Sequence, residues 1–322
     1  MFGSIMRAIG KGSLAAALAV GFVAPAQAAL LDTYLVPNQQ NFFEDNSREA
    51  YFDVDNSGTF NVGDVLVGYV RIENRSAPGA LDLGNTTYAI FSQQVAAING
   101  LFVNFAPTTA AGLTLSDVTG GDATQANAMV ALYTSNYAVD LINNNPGDIT
   151  GGGITLSDYL AFIAAGDLEL TAGIAGGEDD FFQAIISLGF IPTAAQIATF
   201  DTTTSVAFFG AALSVLTNNT NFTFADDVCT NFFGTAACSD LTLLSGTVGG
   251  AANAGNPQFK DGSEFGYAQC GTAGGCGFID NTDINVHPLA VPEPASMILF
   301  GLGLTALGIY GRRRMNRQRK SE

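Results

Sequence analysis

The 322-residue chain contains 38 Gly, a single His, no Trp and four Cys, with 29 acidic side chains against 12 basic ones. Eight basic residues (Arg7, Lys11, Arg312, Arg313, Arg314, Arg317, Arg319 and Lys320) lie at the two ends, so residues 29–290 hold four basic against 27 acidic side chains, a formal charge of −23. A body this acidic repels phosphate backbones, which excludes nucleic acid as a partner. A hydrophobic content of 48% supports a folded core and excludes a disordered chain.

Residues 1–28 read as a signal peptide. Arg7 and Lys11 form the basic start, 14–24 the apolar middle, and Ala26-Gln27-Ala28 the small-residue cleavage site. About 11 apolar residues are too few for the ~20 that a membrane-crossing helix needs. The mature chain is expected to begin at Ala29, exported into a compartment that permits disulfides.

The first motif of the body is Asp53-Val54-Asp55-Asn56-Ser57-Gly58-Thr59-Phe60-Asn61-Val62-Gly63-Asp64. Oxygen-bearing side chains fall at positions 1, 3, 5, 9 and 12, with Gly at 6 and an apolar residue at 8, the pattern of a 12-residue calcium loop. Alternate residues of a tightly turning loop point inward, and Thr59 can offer its carbonyl. The motif resembles EF-hand and dockerin-type loops, which carries Asp53, Asp55, Ser57, Thr59, Asn61 and Asp64 over as candidate ligands. Position 12 is Asp where the EF-hand has a bidentate Glu, and residues 65–72 look like a strand where the EF-hand has its exiting helix. The expectation is a lone structural loop with an affinity of about 0.1–1 mM. A metal-free Asx turn uses the same residue types. A second, degenerate candidate at 143–158 lacks carboxylates at its opening positions.

Beyond it, short runs rich in Val, Ile, Phe and Thr alternate with Gly, Asn and Asp clusters, predicting a mainly β fold. Strands are expected at 65–73, 129–134, 205–216, 221–225 and 241–248, and a hairpin at 88–98 and 101–105 closed by Asn99-Gly100 in a type I′ turn. Helices are expected at 159–165, after a capping box at Thr155 and Asp158, and at 180–188, where Glu178-Asp179-Asp180 would face a helix N-terminus. The composite is a β-sandwich over 29–290 with a helical insertion at about 155–200.

Cys229, Cys238, Cys270 and Cys276 are even in number and confined to the last third of an exported chain, which favours disulfides. The simplest of three connectivities is local: Cys229 with Cys238 and Cys270 with Cys276. Eight and five residues intervene, spacings unlike a zinc knuckle. The sole histidine, His287, sits beside Pro288 and reads as a linker residue, which speaks against a Ser-His-Asp hydrolase. Acidic runs at Glu44/Asp45 and Glu178/Asp179/Asp180 are the nominees for a glycosidase pair, without further support.

The chain closes with Val291-Pro292-Glu293-Pro294, an uncharged apolar run over 295–310, and Arg312-Arg313-Arg314. At 1.5 Å per residue the run covers about 25 Å, at the short end for a membrane span, so a transmembrane helix is expected at 295–311 with its basic tail in the cytoplasm. A Pro-Glu-Pro triplet, a hydrophobic span and an arginine cluster resemble the PEP-CTERM sorting signal of Gram-negative bacteria, over roughly residues 291–322. The resemblance implies recognition by an exosortase, cleavage near 292–294, and release or transfer of the body to the cell surface. It also implies a non-enzymatic structural or adhesive role in an extracellular matrix or biofilm. The alternative is a secreted hydrolase or carbohydrate-binding module acting on polysaccharide.

Overall fold

The computed structural model describes residues 30–84, 86–135, 166–175, 179–193, 196, 205–248, 277–291 and 305. Two compact units divide the chain, Ala29–Leu289 and a second made of Met1–Ala28 with Ala290–Glu322. In the second unit the described residues are Ala290, Val291 and Thr305.

The larger unit begins with a 3-10 turn at Leu30–Thr33 and continues through β1 Asn41–Phe52, β2 Val65–Ala77, β3 Leu81–Asp82, β4 Thr87–Asn99 and β5 Phe102–Pro107. A four-residue helix, α1, Leu115–Val118, precedes β6 Ala128–Thr134, β7 Asp167–Gly173, β8 Phe181–Ile186 and β9 Ser205–Asn218. The last strands are β10 Phe222–Phe224, β11 Val228–Phe232, β12 Thr235–Ser239, β13 Leu241–Val248, β14 Gly277–Val286 and β15 Pro288–Ala290.

The expected sandwich is replaced by one barrel-like sheet. Antiparallel pairings run β2–β1–β14–β13–β9–β7–β6–β4, and β4 pairs back onto β2 through Val65↔Gln94 to Arg71↔Tyr88. On one side of the ring two short pairs share the wall. Along β9, β8 covers Ala207 to Ala212 and β7 covers Ser214 to Asn218; along β4, β6 covers Thr87 to Phe91 and β5 covers Gln93 to Asn99. The alternation that suits a sandwich suits a barrel equally. Ring closure pairs the strand edges that an open sheet would expose, and bulges between β1 and β2 supply local bending.

Period-two alternation explains two cores. Ala89 and Phe91 of β4, Leu66 of β2 and Leu132 of β6 point into the barrel. Their neighbours Tyr88, Ile90, Val65, Val67, Ala131 and Tyr133 point outward, under Leu113, Leu115 and Val118 around α1. That covering segment is why the first seven residues of β4 are buried on both faces.

Two local expectations change. Within the helix expected at 180–188, Phe181–Ile186 form β8 instead: Phe182, Ala184 and Ile186 alternate inward, while the Asp180 carboxylate accepts from Ala175 N–H, Ser214 Oγ and Ser239 Oγ, each at 2.8 Å. Partners on β5 and β9 outweigh the local helix-start signal. The β4–β5 hairpin forms, but Asn99 pairs with Phe102, so Gly100 and Leu101 are its central residues. Only Gly100 has positive φ (65°), the type II′ pattern and not type I′. The expected helix at 159–165 and the calcium candidate at 143–158 lie outside the described residues, as does the expected span at 295–311 apart from Thr305. Among the described residues, no helix is long and apolar enough to cross a membrane.

Cys229 and Cys238 face each other across the β11–β12 hairpin and form a disulfide. Cys270 and Cys276 lie outside the described residues.

Candidate metal centre

Phe52 pairs with Val65, so residues 53–64 are the 12-residue connection of the β1–β2 hairpin, at the barrel rim. Because β2 follows Asp64 directly, the loop leads into a strand, as its sequence predicted. Three contacts tie its end to β4: Gly63 N–H donates to Val95 O (2.9 Å), Val95 N–H to Asp64 O (2.8 Å), and Gln94 Nε2 to Gly63 O (3.0 Å). At its middle, Thr59 forms a β-bridge with Thr193. Phe60, at position 8, is buried with its ring 5.5 Å from that of Tyr51.

All six sequence-predicted ligand residues converge. Carboxylate oxygens of Asp53, Asp55 and Asp64 lie within 4.8 Å of one another. Gly58, with φ 72°, lets the chain turn so that its N–H donates to Asp53 Oδ2 at 2.6 Å, while Ser57 N–H donates to Asp53 Oδ1 and Asp55 Oδ1 at 3.0 Å each. Asn61 Nδ2 is 2.6 Å from Ser57 Oγ, 3.2 Å from Thr59 O and 3.3 Å from Asp55 Oδ1. One amide nitrogen thus sits among three oxygens from alternate residues, as a cation would. A half-turn of that amide exchanges Nδ2 for Oδ1 and completes a set of oxygen donors. Hard oxygen donors, three of them carboxylates, fit calcium.

Asp64 is the buried anchor, with no exposed surface. Its Oδ2 accepts from the Tyr51 hydroxyl (2.6 Å) and Asn61 N–H (2.7 Å), and its Oδ1 from Val54 N–H (3.2 Å). Burial pushes the Asp64 carboxyl above its ordinary range, against the pull of these donors. Burial, followed by the bond to Asp64, also raises the Tyr51 hydroxyl. Asp55, fully exposed, is held below the usual range by hydrogen bonds from Ser57 and Asn61. Crowded carboxylates, one of them buried, make the loop a place where a divalent cation relieves both repulsion and desolvation.

Tyr51 was not among the sequence-predicted residues. It lies two positions before the loop and reads as ordinary strand core; its hydroxyl also donates to Thr59 O at 3.2 Å. Of the nominated carboxylate runs, Glu178 lies outside the described residues. Glu44 is exposed and accepts from Asn74, whereas Asp45, next along β1, is buried and faces inward.

The sorting end starts from structured chain, not from a free linker. His287 is half-buried between β14 and β15, and its Nδ1 lies 2.8 Å from Asp227 Oδ1. Pro288 is buried in β15, which pairs with β10, and Val291 is exposed. Pro292, Glu293, Pro294, Arg312, Arg313 and Arg314 lie outside the described residues.

Fold and site together define a closed antiparallel barrel that carries an oxygen-lined hairpin loop at its rim. Residues 290–314 match the PEP-CTERM protein-sorting motif, so this chain is a PEP-CTERM protein by its sorting signal. That signal marks an exported protein of the cell envelope or surface, with an exosortase as its processing partner. No curated protein and no solved structure matches the chain.

Proposed function

We propose that this protein is a non-catalytic component of the cell surface or extracellular matrix, with a structural or adhesive role, whose barrel is stabilised by calcium at the β1–β2 hairpin. The convergence of Asp53, Asp55, Ser57, Thr59, Asn61 and Asp64 around the Asn61 amide carries this reading. Six donors from one loop leave little room for substrate on a cation that takes six to eight oxygens, which favours a structural ion over a catalytic one. The acidic body supports the adhesive part: at a formal charge of −23 over residues 29–290, divalent cations are its natural counter-charge and can bridge it to anionic polysaccharide.

Calcium titrated into chelator-treated protein tests the site. With a Kd of about 0.1–1 mM, 10 mM calcium adds about 1.4–2.7 kcal/mol, a rise in Tm of roughly 3–10 °C. Asp53→Ala should abolish that rise, and an unshifted Tm in the unmodified protein would end the proposal. For processing, a C-terminal epitope should be lost in wild-type cells and retained in cells lacking the exosortase; equal retention in both would refute it. Calcium-dependent retention of extracellular polysaccharide by the purified protein tests the adhesive role.

A further inference from the structure

Away from the metal loop, the barrel interior holds a cavity of about 70 Å³. It is lined by side chains from all eight strands of the ring, from β8 and β10, and by Leu83 and the N-terminal Leu31 and Leu35, and nearly all of its lining is apolar. Asp45 and Thr87 are its polar members. Thr87 has no exposed surface, and among the described residues its Oγ1 has no hydrogen-bond partner. A buried hydroxyl without a partner is costly, and this one lines the cavity, where a ligand atom could meet it.

We propose that the barrel interior binds one small, mainly apolar molecule carrying a single hydrogen-bonding group that meets Thr87 Oγ1. Size follows from volume. A water-sized sphere takes roughly 10–15 Å³ of such space and stands for ~30 Å³ of liquid, so the cavity matches about 150–200 Å³ of liquid, a molecule of about six to eight non-hydrogen atoms. Phenol fits that description, and benzene is its counterpart without the hydroxyl. Sugars do not, because their several hydroxyls would meet an apolar wall. Leu31 and Leu35 line the cavity from the N-terminal segment, which is fastened by Leu31 N–H to Glu169 Oε1 (3.4 Å) and by Asn221 N–H to Asp32 Oδ1 (3.0 Å).

Ligand-observed NMR and calorimetry on the protein purified without detergent test this, with phenol and benzene as probes. Phenol should bind saturably with a Kd on the order of 0.1–1 mM, and benzene more weakly. Thr87→Val should weaken phenol about tenfold and leave benzene unchanged. Ala89→Phe, which fills the cavity from β4, should weaken both more than tenfold; if it fails to fold, Val130→Phe fills it from β6. Absence of saturable binding up to about 10 mM, or binding that survives the filling variants in folded protein, overturns the proposal. Equal effects of Thr87→Val on both probes overturn the role of the hydroxyl.

Discussion

Replacing Tyr51 by Phe removes the one hydroxyl that braces the 53–64 loop from behind. The ring is wholly buried against Phe60 and stays; the change removes the hydroxyl that donates to Asp64 Oδ2 at 2.6 Å. A hydrogen bond to a charged acceptor contributes about 1.5–3 kcal/mol, and water cannot readily replace this one because Asp64 has no exposed surface. In chelator at neutral pH the variant should lose about 2 kcal/mol, or roughly 4–8 °C in Tm for a domain of this size. With saturating calcium the cation supports the carboxylate, and the loss should shrink toward the ~1 kcal/mol of an ordinary hydrogen bond. Calorimetry and urea denaturation in both conditions measure it. Combining Tyr51→Phe with Asp64→Asn gives the coupling directly, expected above about 1 kcal/mol in chelator. A loss below about 0.5 kcal/mol, or strict additivity of the two changes, would refute the view that Tyr51 braces the buried carboxylate.

Burial raises both Asp64 and Glu169 above their ordinary values, so between unfolded and folded pKa the native state holds the extra protons. Chelated protein should therefore lose stability as pH rises from about 4 through the folded pKa values, and Glu169→Gln should flatten that fall in urea denaturation across pH. Calcium should remove the share due to Asp64. Gly173→Ala puts a Cβ 1.9 Å from Asn127 O and forces β6 and β7 apart; a loss of about 2–4 kcal/mol is expected, and near-native stability in denaturation would contradict so close an approach. Replacing Cys229 and Cys238 together by Ser opens a loop of eight intervening residues and should cost about 2–3 kcal/mol by thermal unfolding, with the barrel retained.

Short-range chemistry was legible from the residues alone. The 53–64 loop carries its pattern of oxygen-bearing side chains, its Gly58 turn and its following strand within 20 residues, and β2, β4, β6, β9 and β13 announce themselves by β-branched and aromatic runs. The sorting signal is likewise a linear motif, read by another protein as sequence. Polar strands were not legible. β1 reads Asn-Phe-Phe-Glu-Asp-Asn-Ser-Arg-Glu-Ala-Tyr-Phe, and it becomes a strand because β2 and β14 pair along both its edges. The same holds for β8, where pairing with β5 and β9 overrides an acidic helix-start signal. Closure of the ring by β2 on β4, the inward aim of Asp45 and Thr87, and the hydroxyl of Tyr51 on Asp64 are products of tertiary structure. Ligand spacing along a turn is set by a dozen consecutive dihedral angles, whereas strand pairing and what a barrel encloses depend on contacts between distant segments. The sequence determined the loop and the address; the barrel, its interior and the brace behind the loop were decided only when those segments met.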